Sequence, residues 1–187
     1  MLIKKIMVVA ASAAMFSVLA ACNTTSPVSA YTPATANILA FQSALKPSGA
    51  TVRVGEFSAA PGIEAPGCRM VGSLDVTAGK SLEQYLKDAL QTDLFTAGVY
   101  SVESPVIIDG RIDQLEVNTF GTGSWTLGMQ VSSNRDPEGY HVTAVRNFKT
   151  SYVAEAACTN ATNAFAPTVQ DLMAQVVNNP GFLKLTR

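Results

Sequence analysis

The sequence predicts an α+β fold: a single antiparallel-type sheet with two helices packed on one face, in the order β-α-β-β-β-α. Three observations predict it. The chain has 187 residues, of which the first 21 read as a leader, so the remainder is the size of one domain with one core. Two stretches carry apolar residues at helical spacing. Several others alternate apolar and polar residues, with turn-forming Gly, Pro, Asn and Asp between them.

The first element is the leader. Lys4 and Lys5 precede an apolar run from Ile6 to Ala21, broken only by Ser12 and Ser17. This is the charged region and apolar region of a secretory signal peptide over residues 1–21. At about 16 residues the run is shorter than the ~20 a helix needs to cross a bilayer. The run ends in Leu19-Ala20-Ala21-Cys22, which resembles the bacterial lipoprotein cleavage box. That resemblance implies lipidation of Cys22, with two or three acyl chains at a new N-terminus, and several chains make attachment effectively permanent. The alternative is an ordinary cleavage site with Cys22 as a bystander. Residue 23 is Asn and not Asp, which in that family implies the periplasmic leaflet of the outer membrane. The expected partners are therefore the membrane, through the N-terminal lipid, and an envelope protein.

Residues 22–47 are rich in Thr, Ser, Pro and Ala, with no charge before Lys46. They read as a lipidated flexible tether, and a helical pattern in Ile38, Leu39, Phe41, Ala44 and Leu45 can dock its end on the domain. The α+β domain is expected over residues 48–187. Thr51 to Phe57 alternates and suggests the first strand, after which Pro61-Gly62 and Pro66-Gly67 mark a loop. Ser81 to Ala97 is the clearest helix: Ser81 and Gln84 form a capping box, and Gly98 supplies the stop. Its apolar stripe is Leu82, Tyr85, Leu86, Ala89, Leu90 and Leu94, and Glu83, Lys87, Asp88 and Asp93 are assigned to the solvated side.

A strand follows with Val106, Ile108, Gly110 and Ile112 in one phase, and the apolar phase then slips to Leu115 and Val117, as at a β-bulge. In the next strand Trp125, Leu127, Met129 and Val131 alternate with Thr126, Gly128, Gln130 and Ser132, so one face is buried and one is wet. Asn134 to Gly139 is a turn, and Tyr140, Val142, Ala144, Phe148 and Tyr152 form its hairpin partner. Phe165, Val169, Leu172, Met173, Val176 and Val177 mark the second helix, with Pro167 in its first turn and Asn178-Asn179-Pro180-Gly181 ending it.

Ala89-Leu90, Ala97-Gly98 and Asp109-Gly110-Arg111-Ile112 resemble small envelope lipoproteins that present a helix followed by a meander. The YajG-like group and the ABC-transport auxiliary lipoproteins are the groups meant. Trp125-Thr126-Leu127, Phe148-Lys149-Thr150, Ala157-Cys158 and the run from Pro167 to Leu172 add to the likeness, which spans roughly residues 51–185. The resemblance implies no catalytic residue.

Composition excludes several functions. Removing Lys4 and Lys5 leaves eleven basic against fourteen acidic residues, a poor balance for neutralising phosphates, so nucleic acid is not expected. A single His, His141, rules out a multi-His zinc site. No metal and no cofactor is expected. Gly121-Thr122-Gly123-Ser124-Trp125 lacks the closing glycine of a nucleophile elbow and reads as a turn. Once Cys22 carries lipid, Cys68 and Cys158 form an even pair in an oxidising compartment and are expected to join as a disulfide, the alternative being two reduced thiols. Asp109 and Asp113 flank Arg111 on one strand face and read as a solvated charge ladder, not an acid/base pair. Trp125 is assigned to the core.

No enzyme is expected. The leading expectation is a non-enzymatic interaction or assembly module of the envelope; the alternative is a binder of a small lipid, glycan or peptide, which needs an enclosed apolar cavity. Two helices cover one side of a small sheet, so the partner face is expected on the other, at Thr126, Gln130, Ser132, His141, Thr143, Asn147 and Lys149. The alternative is an idle solvated face.

Overall fold

The computed structural model describes residues 30–187; the leader and Cys22 lie outside the described residues. A helix α1 at Thr35–Leu45 runs into a 3-10 turn at Lys46–Ser48, then come β1 at Arg53–Ala59 and a small ribbon of β2 (Gly67–Cys68) and β3 (Gly72–Ser73). Helix α2 spans Leu82–Ala97, and β4 (Ile107–Asn118), β5 (Gly123–Ser133) and β6 (Tyr140–Phe148) follow it. The long helix α3 at Ala154–Asn178 and the short α4 at Phe182–Leu185 complete the chain.

The fold is α+β, but the sheet is not a single antiparallel one. Its order is β1-β4-β5-β6, with β1 parallel to β4 and the other pairs antiparallel; β2 and β3 pair separately. The reason is the connection: between β1 and β4 the chain passes through the ribbon and α2, and a crossover of that length returns the next strand in the same direction. Adjacent hairpins join β4 to β5 and β5 to β6, and these are antiparallel as expected. The expected slip in β4 is present as a register shift between Ile112 and Gln114.

One sheet face is covered. Ile108 and Ile112 from β4, and Trp125, Leu127, Met129 and Val131 from β5, are wholly buried with Leu86, Leu90 and Leu94 of α2 and Phe165, Val169 and Leu172 of α3. The Trp125 indole N–H donates to the Ala161 carbonyl of α3 at 2.7 Å, so its one polar atom is satisfied inside the core. In α2, the Ser81 hydroxyl accepts from the Gln84 backbone N–H at 3.2 Å, and Gly98 takes the left-handed conformation that ends the helix.

Three expectations are corrected. The flexible tether assigned to residues 22–47 gives way to α1 from Thr35, and Phe41 and Leu45 dock it on the domain as their helical spacing suggests, both fully buried, with the Phe41 ring 5.6 Å from Phe182. Helix α3 begins at Ala154, well before Phe165, and Pro167 lies in its interior. A proline there removes an N–H and strains the preceding turn, but Ala157, Cys158, Ala161 and Ala164 bury a small-residue face ahead of it, and alanine is the strongest helix former. Finally, β6 ends at Phe148, and Tyr152 stands in the following loop, fully exposed.

Candidate functional site

The uncovered face of the sheet carries the expected polar alternates. Strand pairing sets Gln130 opposite His141, Gly128 opposite Thr143, Thr126 opposite Val145 and Ser124 opposite Asn147, and directly paired residues share a face. From the other side, β4 contributes Arg111 opposite Gln130, Gln114 opposite Gly128, Glu116 opposite Thr126 and Asn118 opposite Ser124. His141, Thr143 and Asn147 are exposed, whereas Thr126, Gln130 and Ser132 are half-buried. Gln130 does not point freely to water: its amide donates to the Glu138 carbonyl of the β5–β6 turn. Lys149 is exposed but lies beyond the end of β6 and off the ladder. Val145, 62% exposed at the centre of β6, adds an apolar contact to the face.

At the middle of this surface, Asp113 of β4 and His141 of β6 meet across the intervening strand, Oδ1 to Nε2 at 2.9 Å. Two local features make that reach possible. The bulge between Ile112 and Gln114 pushes Asp113 out of the regular ladder. Gly128 then leaves the space between them open: a Cβ there would stand 2.9 Å from Asp113 Oδ1 and 3.3 Å from His141 Nε2. Glycine weakens a strand interior, and here it makes room for the pair. Thr143 Oγ1 lies 3.5 Å from His141 Nδ1. Hydroxyl, imidazole and carboxylate are the residue types of a hydrolytic relay, but 3.5 Å is long for a hydrogen bond. All three groups are open to water. The arrangement is a preorganised hydrogen-bonding surface.

Asp109 and Asp113 do not act as the ladder expected. The Asp109 carboxylate accepts from the Glu56 backbone N–H of β1 at 2.7 Å, while Asp113 turns to His141. Among the described residues, no group of three or more His, Cys, Asp or Glu is placed to hold a metal. The disulfide Cys68–Cys158 is present, with its Cα atoms 5.9 Å apart, and joins β2 to the first turns of α3.

A second polar cluster lies on the covered side and was hidden by the reading of residues 22–47 as a tether. Asp93, assigned from the sequence to the solvated side of α2, is fully buried. Tyr31 Oη lies 2.9 Å from both of its carboxylate oxygens and donates to the group. Burial raises the Asp93 pKa from its ordinary value to about 6, against the lowering effect of hydrogen bonds from Tyr31 and Asn37. Asn37, also buried, donates to the Gln170 carbonyl of α3 at 2.8 Å, and Gln170 in turn donates to the Thr32 carbonyl at 2.7 Å. These contacts bolt the entry of the chain to α2 and α3. The helical spacing of Phe41 and Leu45 is the sequence signal that points to them.

An apolar-lined cleft near the ribbon lies between residues 59–66, β3 and the start of α2. It has a volume of about 220 Å3 and is lined by Ile63, Leu74, Val76, Leu82 and Leu115 with Lys80 and Glu83 at its polar edge.

No protein-family model matches the sequence, and no curated protein does. Among solved structures, the chain is similar to protein XCC0632 from Xanthomonas campestris, of family-model DUF330. That likeness is at 15% identity and a TM-score of 0.45, over 68% of this chain and 83% of the other. A second structure, described as an uncharacterized protein, is similar at 9% identity and a TM-score of 0.37, over 68% of this chain and 92% of that one. Likenesses at these values concern the arrangement of the chain and lend no support to any function.

Proposed function

We propose that this protein is a lipid-anchored envelope protein of the outer membrane, attached through Cys22, whose domain serves as a non-enzymatic docking module. The observation that carries the docking role is the open sheet face. Its polar side chains are exposed or half-buried, carry both signs of charge, and are fixed at the centre by the Asp113–His141 pair over Gly128. A surface of hydrogen-bonding groups with one apolar contact, Val145, suits a wet and reversible protein interface. The anchoring role rests on the leader and the Leu-Ala-Ala-Cys box.

A test of docking is site-specific photo-crosslinking in cells from Thr143, with Thr96 on the outer side of α2 as control. A single adduct from Thr143, lost on Val145→Asp, is the expected result; adducts from Thr96 alone place docking on the helices instead. The alternative, a binder of a small lipid, glycan or peptide, draws on the apolar cleft beside the ribbon. The docking reading is preferred because the open face, unlike that cleft, carries a fixed polar pair, Asp113–His141, at its centre.

A further inference from the structure

Three loops meet at the pole of the domain where β4 turns into β5. The turn after β4 carries Phe120, the turn between β2 and β3 carries Met70 and Val71, and the loop from β6 to α3 carries Tyr152 and Val153. All five are exposed, Met70 at 99% and Tyr152 at 106%. Five apolar side chains from three separate loops at one end exceed the scattered single exposures usual on a soluble domain.

The loops are held in place. Arg69, in the left-handed region at φ 49°, directs its guanidinium 4.6 Å from the centre of the Phe120 ring. Its Nε donates to Thr119 Oγ1, one terminal nitrogen to the Thr119 carbonyl and the other to the Tyr152 carbonyl. The Thr150 hydroxyl donates to the Thr119 carbonyl at 2.6 Å. The neighbouring disulfide fixes Cys68 to α3. The framework is thus polar and satisfied, while the apolar tips project away from it. Arg69 uses the Phe120 ring but only the backbone carbonyl of Tyr152, and nothing in these contacts requires Met70 or Tyr152 to be apolar.

We propose that this pole is a membrane-contact surface: Phe120, Tyr152 and Met70 enter the headgroup layer of a phospholipid bilayer, with Lys149 facing its anionic groups. Aromatic rings with a polar handle and cationic side chains are the types that settle at that boundary. Glu155, in the first turn of α3, is the acidic residue beside them. The occupant is argued from the chain's own attachment, and in this respect the inference rests on the anchored reading of Cys22. The chain enters the domain at Tyr31 and Thr32, where Gln170 of α3 holds it. Gln170 lies sixteen residues past the start of α3 at Ala154, or about 24 Å of helical rise. The nine residues from Cys22 to Tyr31 extend to at most about 30 Å. That span is long enough for a lipid on Cys22 to reach the plane of the loop tips, and the domain can rest on the bilayer that anchors it. In that pose the membrane meets the three loops and leaves the sheet face free for a protein.

The test uses the full chain purified from membranes and co-floated with vesicles of phosphatidylethanolamine, phosphatidylglycerol and cardiolipin, with and without bromine in the acyl chains. Phe120→Trp and Tyr152→Trp place a reporter at the pole, while Leu183→Trp places one near the far end of β5, where Ser133 bonds the Leu185 carbonyl. Trp125 is buried and supplies a constant background. The expected result is a blue shift and strong bromine quenching of the reporters at 120 and 152, with none at 183. Emission at 120 and 152 indifferent to bromine overturns the proposal, and so does equal quenching at 183. Fatty-acid labelling of Cys22 is scored in parallel. Labelled protein with unquenched polar reporters leaves the anchor and overturns this contact; unlabelled protein with quenched reporters does the reverse. Failure of both removes both.

Discussion

On the covered side of the sheet, Trp125, Leu127, Met129 and Val131 of β5 are wholly buried, and the residues between them, Thr126, Gly128, Gln130 and Ser132, line the side that no helix covers. The same strand therefore serves two purposes with a period of two. Each residue on the covered face is constrained by atoms on all sides, so a change in volume is felt as a loss of stability. On the open face, side chains touch mainly their neighbours and water, so they can vary with little cost to folding. The two carboxylates at the centre of each region show the contrast. Asp93 is fully buried and its proton affinity is raised; Asp113 is part-exposed and simply pairs with His141. Stability and recognition are separable in this molecule, and the following substitutions sharpen or break that separation.

The largest effect belongs to the covered face. Trp125→Ala leaves a cavity and removes the bond to Ala161, and is expected to cost about 3–5 kcal/mol in urea unfolding. A loss near zero would contradict the assignment of the core. Cys158→Ser opens the link between β2 and α3 and is expected to cost about 2–4 kcal/mol; unchanged stability would mean that the disulfide constrains nothing the fold does not already hold.

Asp93→Asn gives an effect of changing size. The folded state binds the Asp93 proton more tightly than the unfolded state does, so the wild type loses stability as pH rises from about 4 to about 6, and is level above that. A shift of this size corresponds to roughly 3 kcal/mol. Asparagine cannot ionise, so the variant should gain on wild type across that window, by up to that amount at pH 7. A difference independent of pH would remove the buried-acid account.

Arg146→Ala breaks the two-pronged bond to Asp171 that ties β6 to α3, both contacts being 2.7 Å. The pair is more than a third exposed, so about 1 kcal/mol or less is expected. Smallest is Thr143→Arg on the open face, which should leave the unfolding curve unchanged within ~0.5 kcal/mol. A large loss there would show that the open face is not separable from folding.

Much of this architecture was legible from pattern. The alternation of β5 named its buried face, the slip after Ile112 located the bulge, and Ser81 with Gly98 bracketed α2. Strand direction was not legible from alternation, because period two is the same in parallel and antiparallel neighbours; the informative feature was the helix between β1 and β4. The early start of α3 was missed because Ala, Thr and Asn carry little amphipathic signal. At the site, the sequence named His141 and the polar residues beside it but not the Asp113 contact. That contact depends on a bulge and a glycine acting from different strands. Asp93 was misplaced because its partner, Tyr31, belongs to a stretch whose composition reads as linker.

The most direct test of separability is a paired measurement on one variant, Thr143→Arg: its urea unfolding midpoint, and its crosslinking yield in cells from a photo-reactive residue at Asn147. The account predicts an unchanged midpoint and a lost adduct. An unchanged adduct, with docking instead abolished by substitutions on the outer side of α2, would contradict it.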